Sequence, residues 1–249
     1  PDYMLSNTGI REQGASATIG YRDLRFRSTL YFSWFQRELG ILRASHIGNL
    51  TDLDNAIATG TPWYVGDFTY DIDAPRQTSD HLLAKAELDY ALTERNRIVV
   101  TYAYQTDSRK EYDIRRGGRS ALPALDLGLT THTADASFKH WIGKHIHGRA
   151  GLSGLFQRNI NEPGTGIRPL IPNYQKESGG VYLIEHLPLG ERVEVEAGGR
   201  LENTTLLIAK YDATGTLLQP EFEYTNHALG VGVNWSIRDS VRVRFNFST

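Results

Sequence analysis

Cysteine is absent from this chain. Disulfide frameworks and thiolate metal sites are therefore excluded, although the absence assigns no compartment. Long apolar runs are missing too: no stretch reaches the ~18 apolar residues of a membrane-crossing helix. Nor is there an excess of one charge. The net charge is −2 and the pI about 6.5, so the chain carries no basic footprint for nucleic acid. No leader pattern opens the chain, which begins "PDYMLSNTG" in the manner of mid-protein sequence. Helical periodicity is nearly absent. The one helical candidate is "NLTDLDNAIATG", with Leu50, Leu53 and Ile57 on one side, long enough for one or two turns within a long loop. The mean hydropathy of −0.40 describes a polar chain. That average decides little, because a membrane barrel hides its apolar half in alternation.

Alternation is what the chain has in quantity. In "HLLAKAELDYALTERNRIVVTYAYQTD", Leu82, Ala84, Ala86, Leu88 and Tyr90 share one face, and Lys85, Glu87 and Asp89 the other. Ile98, Val100, Tyr102 and Tyr104 repeat the pattern against Thr101, Gln105 and Asp107, with Thr93 to Asn96 as a polar turn. This is a β-hairpin. Applied throughout, the reading is all-β. It predicts about ten strands near 8–22, 25–45, 78–91, 97–110, 126–141, 148–160, 176–187, 191–207, 223–236 and 240–249.

The connections say more than the strands. Those near Asp23, 92–96, 142–147, 188–190 and 237–239 are short, and those near 46–77, 111–125, 161–175 and 208–222 are long. Strict alternation of short and long places all short turns at one end of an antiparallel up-and-down meander. Outer-membrane barrels have that arrangement, with short periplasmic turns and long outer loops. Greek-key sandwiches mix loop lengths at both ends.

Register is pinned by charge. In "VEVEAGGRLE", Val193, Val195, Ala197, Gly199 and Leu201 oppose Glu194, Glu196, Gly198, Arg200 and Glu202. In "VRVRFNF", Val241, Val243, Phe245 and Phe247 oppose Arg242, Arg244 and Asn246. A one-residue slip would turn those charges toward lipid, where an Arg at the midplane costs about 2–4 kcal/mol. Tyr21, Tyr90, Trp141 and Trp235 fall beside short turns and are expected to form an interfacial girdle.

The long-loop sequences "SHIGNLTDLDNAI", "YDIDAPRQ", "DIRRGGRSALPALDLGL" and "NEPGTGIRPLIPNY", with the final "RVRFNFST", resemble the barrel of TonB-dependent outer-membrane receptors. The resemblance is closest to the group described as iron-complex receptors and extends over essentially the whole chain. It implies a 22-stranded transmembrane β-barrel around a plug domain, with an N-terminal box that engages TonB of the inner-membrane energy complex. The chain then looks like a central part of such a barrel, residues 1–249, without plug or box. The implied activity is active uptake of a scarce nutrient, a ferric siderophore or other iron chelate, across the bacterial outer membrane. No enzymatic step and no cofactor are implied, and the substrate is not identified. The expected partners are outer-membrane lipid, the receptor's own plug, TonB and a metal-chelate substrate.

Three constellations stand out. His140, His145 and His147 lie in "HWIGKHIHGR", and His-x-His can bind metal. They flank a short turn on the expected periplasmic side, so solvated turn histidines are the expectation there. No His lies beside a credible Ser or acid partner, which leaves no hydrolase arrangement. The second constellation is basic. Arg109 and Lys110 lead into it from "SRKEY", and Arg115, Arg116 and Arg119 in "DIRRGGRS" with Arg168 in "GTGIRPLIP" are its four members farther out on the loops. Guanidinium forks bind carboxylates and oxyanions in two-pronged fashion, so these four are candidate substrate-binding residues on outer loops. The competing expectation pairs the loop arginines with Glu111, Asp113 and Asp126. The third is the wet strand face: Lys85, Glu87, Asp89, Asp135, Lys139, Glu185, Glu194, Glu196, Arg200 and Glu202. These are expected to face the lumen as ladders of paired charge, supporting the wall. The alternatives to an active receptor are a passive porin-like channel, a hydrolase on a barrel scaffold, and a soluble β-sheet module binding carbohydrate. No blade-length repeat favours a propeller.

Overall fold

The computed structural model describes residues 3–45, 49–143 and 145–249. His46, Ile47 and Gly48 of the "SHIGNL" motif, and Lys144 between Gly143 and His145, lie outside the described residues. In chain order the strands are β1 (Met4–Leu5), β2 (Ile10–Arg22), β3 (Phe26–Gly40), β4 (Val65–Gly66), β5 (Arg76–Ala91), β6 (Arg97–Tyr112), β7 (Leu125–Ile142), β8 (Ile146–Asn161), β9 (Asn173–Leu189), β10 (Val193–Tyr211), β11 (Leu217–Leu218), β12 (Glu221–Arg238) and β13 (Val241–Ser248).

The ten long strands pair antiparallel in chain order, from β2 at one edge to β13 at the other, and β2 and β13 do not pair with each other. The sheet is therefore an open meander: its up-and-down order is what the loop alternation predicts, and its openness what the resemblance to a larger barrel implies. Short turns and long loops segregate to opposite ends as expected. One turn moves: β9 runs through Pro188 to Leu189, and the reversal falls on Gly190, whose φ of 78° suits glycine. Two small ribbons were not legible in the pattern, β1 with β4 and β11 with β10. Two-residue strands are too short to show a period. The helical candidate is α1 (Leu50–Thr59). The Asn49 side chain caps its first turn by accepting from the Asp52 amide at 2.9 Å, and Gly60 ends it at φ 68°.

Cross-strand pairing sorts every side chain to one of two faces. Leu82, Ala84, Ala86 and Leu88 lie level with Trp34, Phe32, Leu30 and Ser28 of β3 and with Thr106, Tyr104, Tyr102 and Val100 of β6. The same face continues through Ala134 and Ala136, Leu152, Val181 and Leu183, Leu201 and Val195, and Val231 and Val233 to Phe247 and Phe245. Leu82 to Tyr90 spans nine residues, about 30 Å along a strand and roughly 23 Å after a ~40° tilt. That matches the ~25 Å apolar band of outer-membrane barrels. Above it the same face turns polar, at Gln36, Asp80, Thr130, Arg158 and Glu177.

The opposite face carries Lys85, Glu87, Asp89, Asp135, Lys139, Glu194, Glu196, Arg200 and Glu202. It also holds the buried strand side chains Ala91, Val99, Leu127, Thr131, Ser137, Asn159 and Thr204. Side chains converge on the inside of a curved sheet, so this crowded face is the concave one, and the apolar band is convex.

Two residues depart from the expected faces. Glu185, expected on the wet side, is level with Gly148 and Ala197 on the convex apolar face. Pleating carries it there because Leu183, Leu187 and Leu189 share its parity. Trp141, expected in the girdle, is level with His147 on the concave face. Tyr21, Tyr90 and Trp235 do lie on the convex side.

Leu152 lies mid-band on the convex face and is 61% exposed. In a lipid bilayer, Leu152→Arg should destabilise the folded barrel by about 2–4 kcal/mol. The Lys85–Glu87 pair, 3.4 Å apart and exposed on the concave side, is a screened surface pair, so Lys85→Gln should change stability by less than about 1 kcal/mol. Denaturant unfolding of the intact receptor in vesicles measures both. Equal effects would mean the two faces are misassigned.

Candidate functional site: outer rim and inner wall

The rim is built by the long loops. Gly117 and Gly118 adopt φ of 70° and 73°, a left-handed pair that turns the chain sharply between Arg116 and Arg119. Arg115 points into the rim. Its Nη1 donates to the Thr165 carbonyl at 2.7 Å, and its Nη2 to the carbonyls of Leu122 at 2.8 Å and Pro123 at 3.3 Å. Arg115 thus ties its own loop to the loop after β8. Arg168 Nη2 donates to the Asp212 carbonyl at 3.0 Å and ties that second loop to the one after β10. The arginines predicted for neighbouring long loops therefore share one end of the sheet, and two of them bridge loops through carbonyl oxygens.

Arg116 and Arg119 differ. Both are exposed, and neither guanidinium forms a hydrogen bond or ion pair among the described residues. The competing expectation is met in part, since two nearby acids pair within the basic constellation, through Arg109 and Lys110. Glu111 accepts from Arg109, and Asp126 accepts from Lys110 at 3.0 Å. Asp113 caps locally, accepting from the Ile114 amide at 2.7 Å.

On the inner wall, Asp135 is the hub. It accepts from Arg149 at 2.7 Å and from the Tyr182 hydroxyl at 2.9 and 3.0 Å. Arg200 joins Ser153 at 2.8 Å and the Glu202 carboxylate. Asp89 accepts from Arg97 at 2.6 Å. The Arg149–Asp135, Tyr182–Asp135, Arg200–Ser153 and Arg97–Asp89 contacts cross between strands and brace the wall.

His145 is exposed in the turn as expected, whereas His140 and His147 are engaged on the strand faces. His140 Nε2 lies 2.8 Å from Glu185 Oε1 on the convex face. Gly148 separates them in register, and a Cβ there would collide with Glu185 Oε2. Glycine is therefore what lets the carboxylate reach His140. His147 lies between Trp141 and His186 on the concave face, with ring centroids 4.6 and 4.8 Å away. His186, with Glu194 and Glu196 beside it, was not singled out in the sequence, because its neighbours come from β8 and β10.

An antiparallel meander with a convex apolar band, a concave polar wall and loops segregated by length defines a segment of transmembrane β-barrel wall. The family model for the TonB dependent receptor-like beta-barrel matches residues 3–249, and the chain belongs to that family. No curated protein matches it in sequence. Among solved structures it is similar to the ferric-catecholate import receptor Fiu from E. coli K12 in its open form. The identity is 12% and the TM-score 0.71, over 99% of this chain and 48% of that one. It is similar to the ferric citrate transporter FecA at 12% identity and TM-score 0.68, over 98% and 36%. The alcaligin receptor FauA from Bordetella pertussis follows at 11% identity and TM-score 0.69, over 96% and 35%. The chain spans less than half the length of each of these structures. These three are, in turn, an import receptor, a transporter and an outer-membrane receptor.

Two outcomes test the rim. Arg115→Gln should free the two loops from each other, so limited proteolysis should cut within 113–124 and 162–172 faster while the strands stay protected. Asp212 offers a pH test. Its carboxylate accepts from the Thr214 hydroxyl at 2.7 Å and from the Thr214 and Thr216 amides at 2.8 and 2.9 Å. These bonds, the Thr214 hydroxyl first, lower its pKa below the ordinary carboxylate value. A lowered folded-state pKa stabilises the 212–216 turn above the ordinary value and is lost as pH falls through the lowered one. The amide resonances of Thr214 and Thr216 should therefore hold their positions through the usual carboxylate range and shift only in stronger acid.

Proposed function

We propose that this chain is wall and outer rim of an active outer-membrane receptor that takes up a ferric siderophore or another anionic iron chelate, energised by TonB. In the complete receptor its open edges at β2 and β13 join further strands to close a barrel of 22, since lipid leaves an unpaired strand edge without hydrogen-bond partners. A plug fills the lumen and faces the braced inner wall formed by Lys85, Glu87, Asp89, Glu194, Glu196 and Arg200.

The observation that carries the reading is the pair of exposed guanidinium groups, Arg116 and Arg119, on a rim whose other arginines hold the loops in place. Family membership supports the transport role, and the named cargo of the similar structures supports an iron chelate. Guanidinium groups around a partly enclosed mouth raise the local anion concentration and speed arrival. Arg115 and Arg168 contribute by fixing the loops, and Arg116 and Arg119 by meeting the chelate.

In the intact receptor, Arg116→Gln with Arg119→Gln should lower uptake of radiolabelled ferric chelate by about 10-fold at low ionic strength. The loss should shrink as salt screens exposed charge over about 8 Å. Uptake that stays at the wild-type level at low salt would remove these arginines from substrate capture.

A further inference from the structure

We propose that His147, His186 and Glu194, with Glu196 alongside, form a binding site for a divalent transition-metal ion of the zinc class, on the concave wall at the short-turn end. The site lies on the opposite side of the sheet from His140 and Glu185, and at the opposite end from the loop arginines.

Register assembles it. His147 of β8 is level with His186 of β9, and His186 with Glu196 of β10. Glu194 is level with Pro188, one inward position nearer the turn at 190–192. Four donor side chains from three adjacent strands thus project to the same side. One ligand atom each from His147, His186 and Glu194 falls within 4.8 Å of the others. His186 Nδ1 is 3.6 Å from Glu194 Oε1 and 3.5 Å from Glu196 Oε2.

Those two distances separate a metal site from a simple hydrogen bond. An N–H···O bond closes to about 2.7–3.2 Å, and at 3.6 Å it is not made. Ligand atoms held about 2.0–2.1 Å from a tetrahedral zinc ion lie about 3.3 Å apart. His186 therefore stands off both carboxylates by nearly the edge of such a tetrahedron. Local charge points the same way: two carboxylates converge on one imidazole that has a second imidazole stacked on it, 4.8 Å away and inclined by 4°. The nearest cation in that row is Arg244, two strands from Glu194 and separated from it by Asn234. A dication between the four groups would offset the repulsion between the acids.

The surroundings suit a ligating histidine. His147 Nδ1 faces the His145 carbonyl at 3.4 Å, and Trp141 stacks on the ring's other neighbour side at 4.6 Å. Because the two imidazoles are parallel, binding requires one ring to turn about its Cβ–Cγ bond. No backbone movement is needed, since the donors are side chains of 30–51% exposure for His186, Glu194 and Glu196. Two imidazoles and a carboxylate make a borderline donor set that favours Zn2+, Co2+ or Ni2+ over Mg2+ or Ca2+. Glu196 or water completes the shell. A bound ion would clip β8, β9 and β10 together beside their turns.

The test uses the intact receptor, free of affinity-tag histidines, purified in detergent and stripped with chelator. Co2+ is the probe, read by its visible d–d absorption, with Zn2+ as competitor. The expected result is one tight Co2+ per receptor, displaced by Zn2+. His186→Ala and Glu194→Gln should each weaken binding by more than the 10–100-fold that loss of an outer-shell partner costs. His140→Ala, on the convex face, should leave it unchanged. Far-UV circular dichroism confirms that each variant is folded, and Glu194→Gln keeps the volume of the native side chain if His186→Ala fails to fold. A folded wild-type receptor that takes up no Co2+ at large excess overturns the proposal. So does a folded Glu194→Gln receptor that binds as tightly as wild type. Neither readout depends on chelate uptake, so the site stands or falls separately from the transport reading.

Discussion

The structure depends on one constraint: backbone amides and carbonyls of a wall set in lipid have no water to turn to. Each must be satisfied by a neighbouring strand, so the chain can cross only as strands paired on both sides. The long strands of β3 through β12 meet this by pairing with the strand before and the strand after. Residue-by-residue register follows, and from register follows which side chains meet. The apolar band, the charge ladders, the loop bridges and the histidine cluster are all consequences of that pairing.

The two faces solve different problems. The convex face needs apolar surface over a limited height and changes to polar residues above it. The concave face brings side chains together and fills the crowding with groups that bond one another, such as Asp135 with Arg149 and Tyr182. On the convex face Glu185 reaches His140 across Gly148, at 2.8 Å. An isolated carboxylate there would be far more costly.

The rim shows how one residue type serves two purposes within a few positions. Arg115 and Arg168 spend their donors on backbone carbonyls of neighbouring loops, which long loops otherwise leave unsatisfied. Arg116 and Arg119, held out by the left-handed Gly117–Gly118 turn, keep theirs exposed. Loops tied to one another through carbonyls thus carry exposed guanidinium groups at the same end of the sheet.

Alternation in the sequence was sufficient for the ten long strands, their order and most face assignments, because period-two patterning and loop length are local properties. It misplaced Glu185 and Trp141, since near strand ends both faces carry mixed residues and parity alone is ambiguous there. It placed the loop arginines at one end of the sheet but could not say whether they would meet acids, carbonyls or solvent. That depends on how loops separated by a hairpin pack, as Arg115 reaching Thr165 shows. The convergence of His147, His186, Glu194 and Glu196 was likewise invisible. These residues are spread over 50 positions of chain, and only the pairing of three strands, which backbone hydrogen bonding imposes, brings them to one point on the wall.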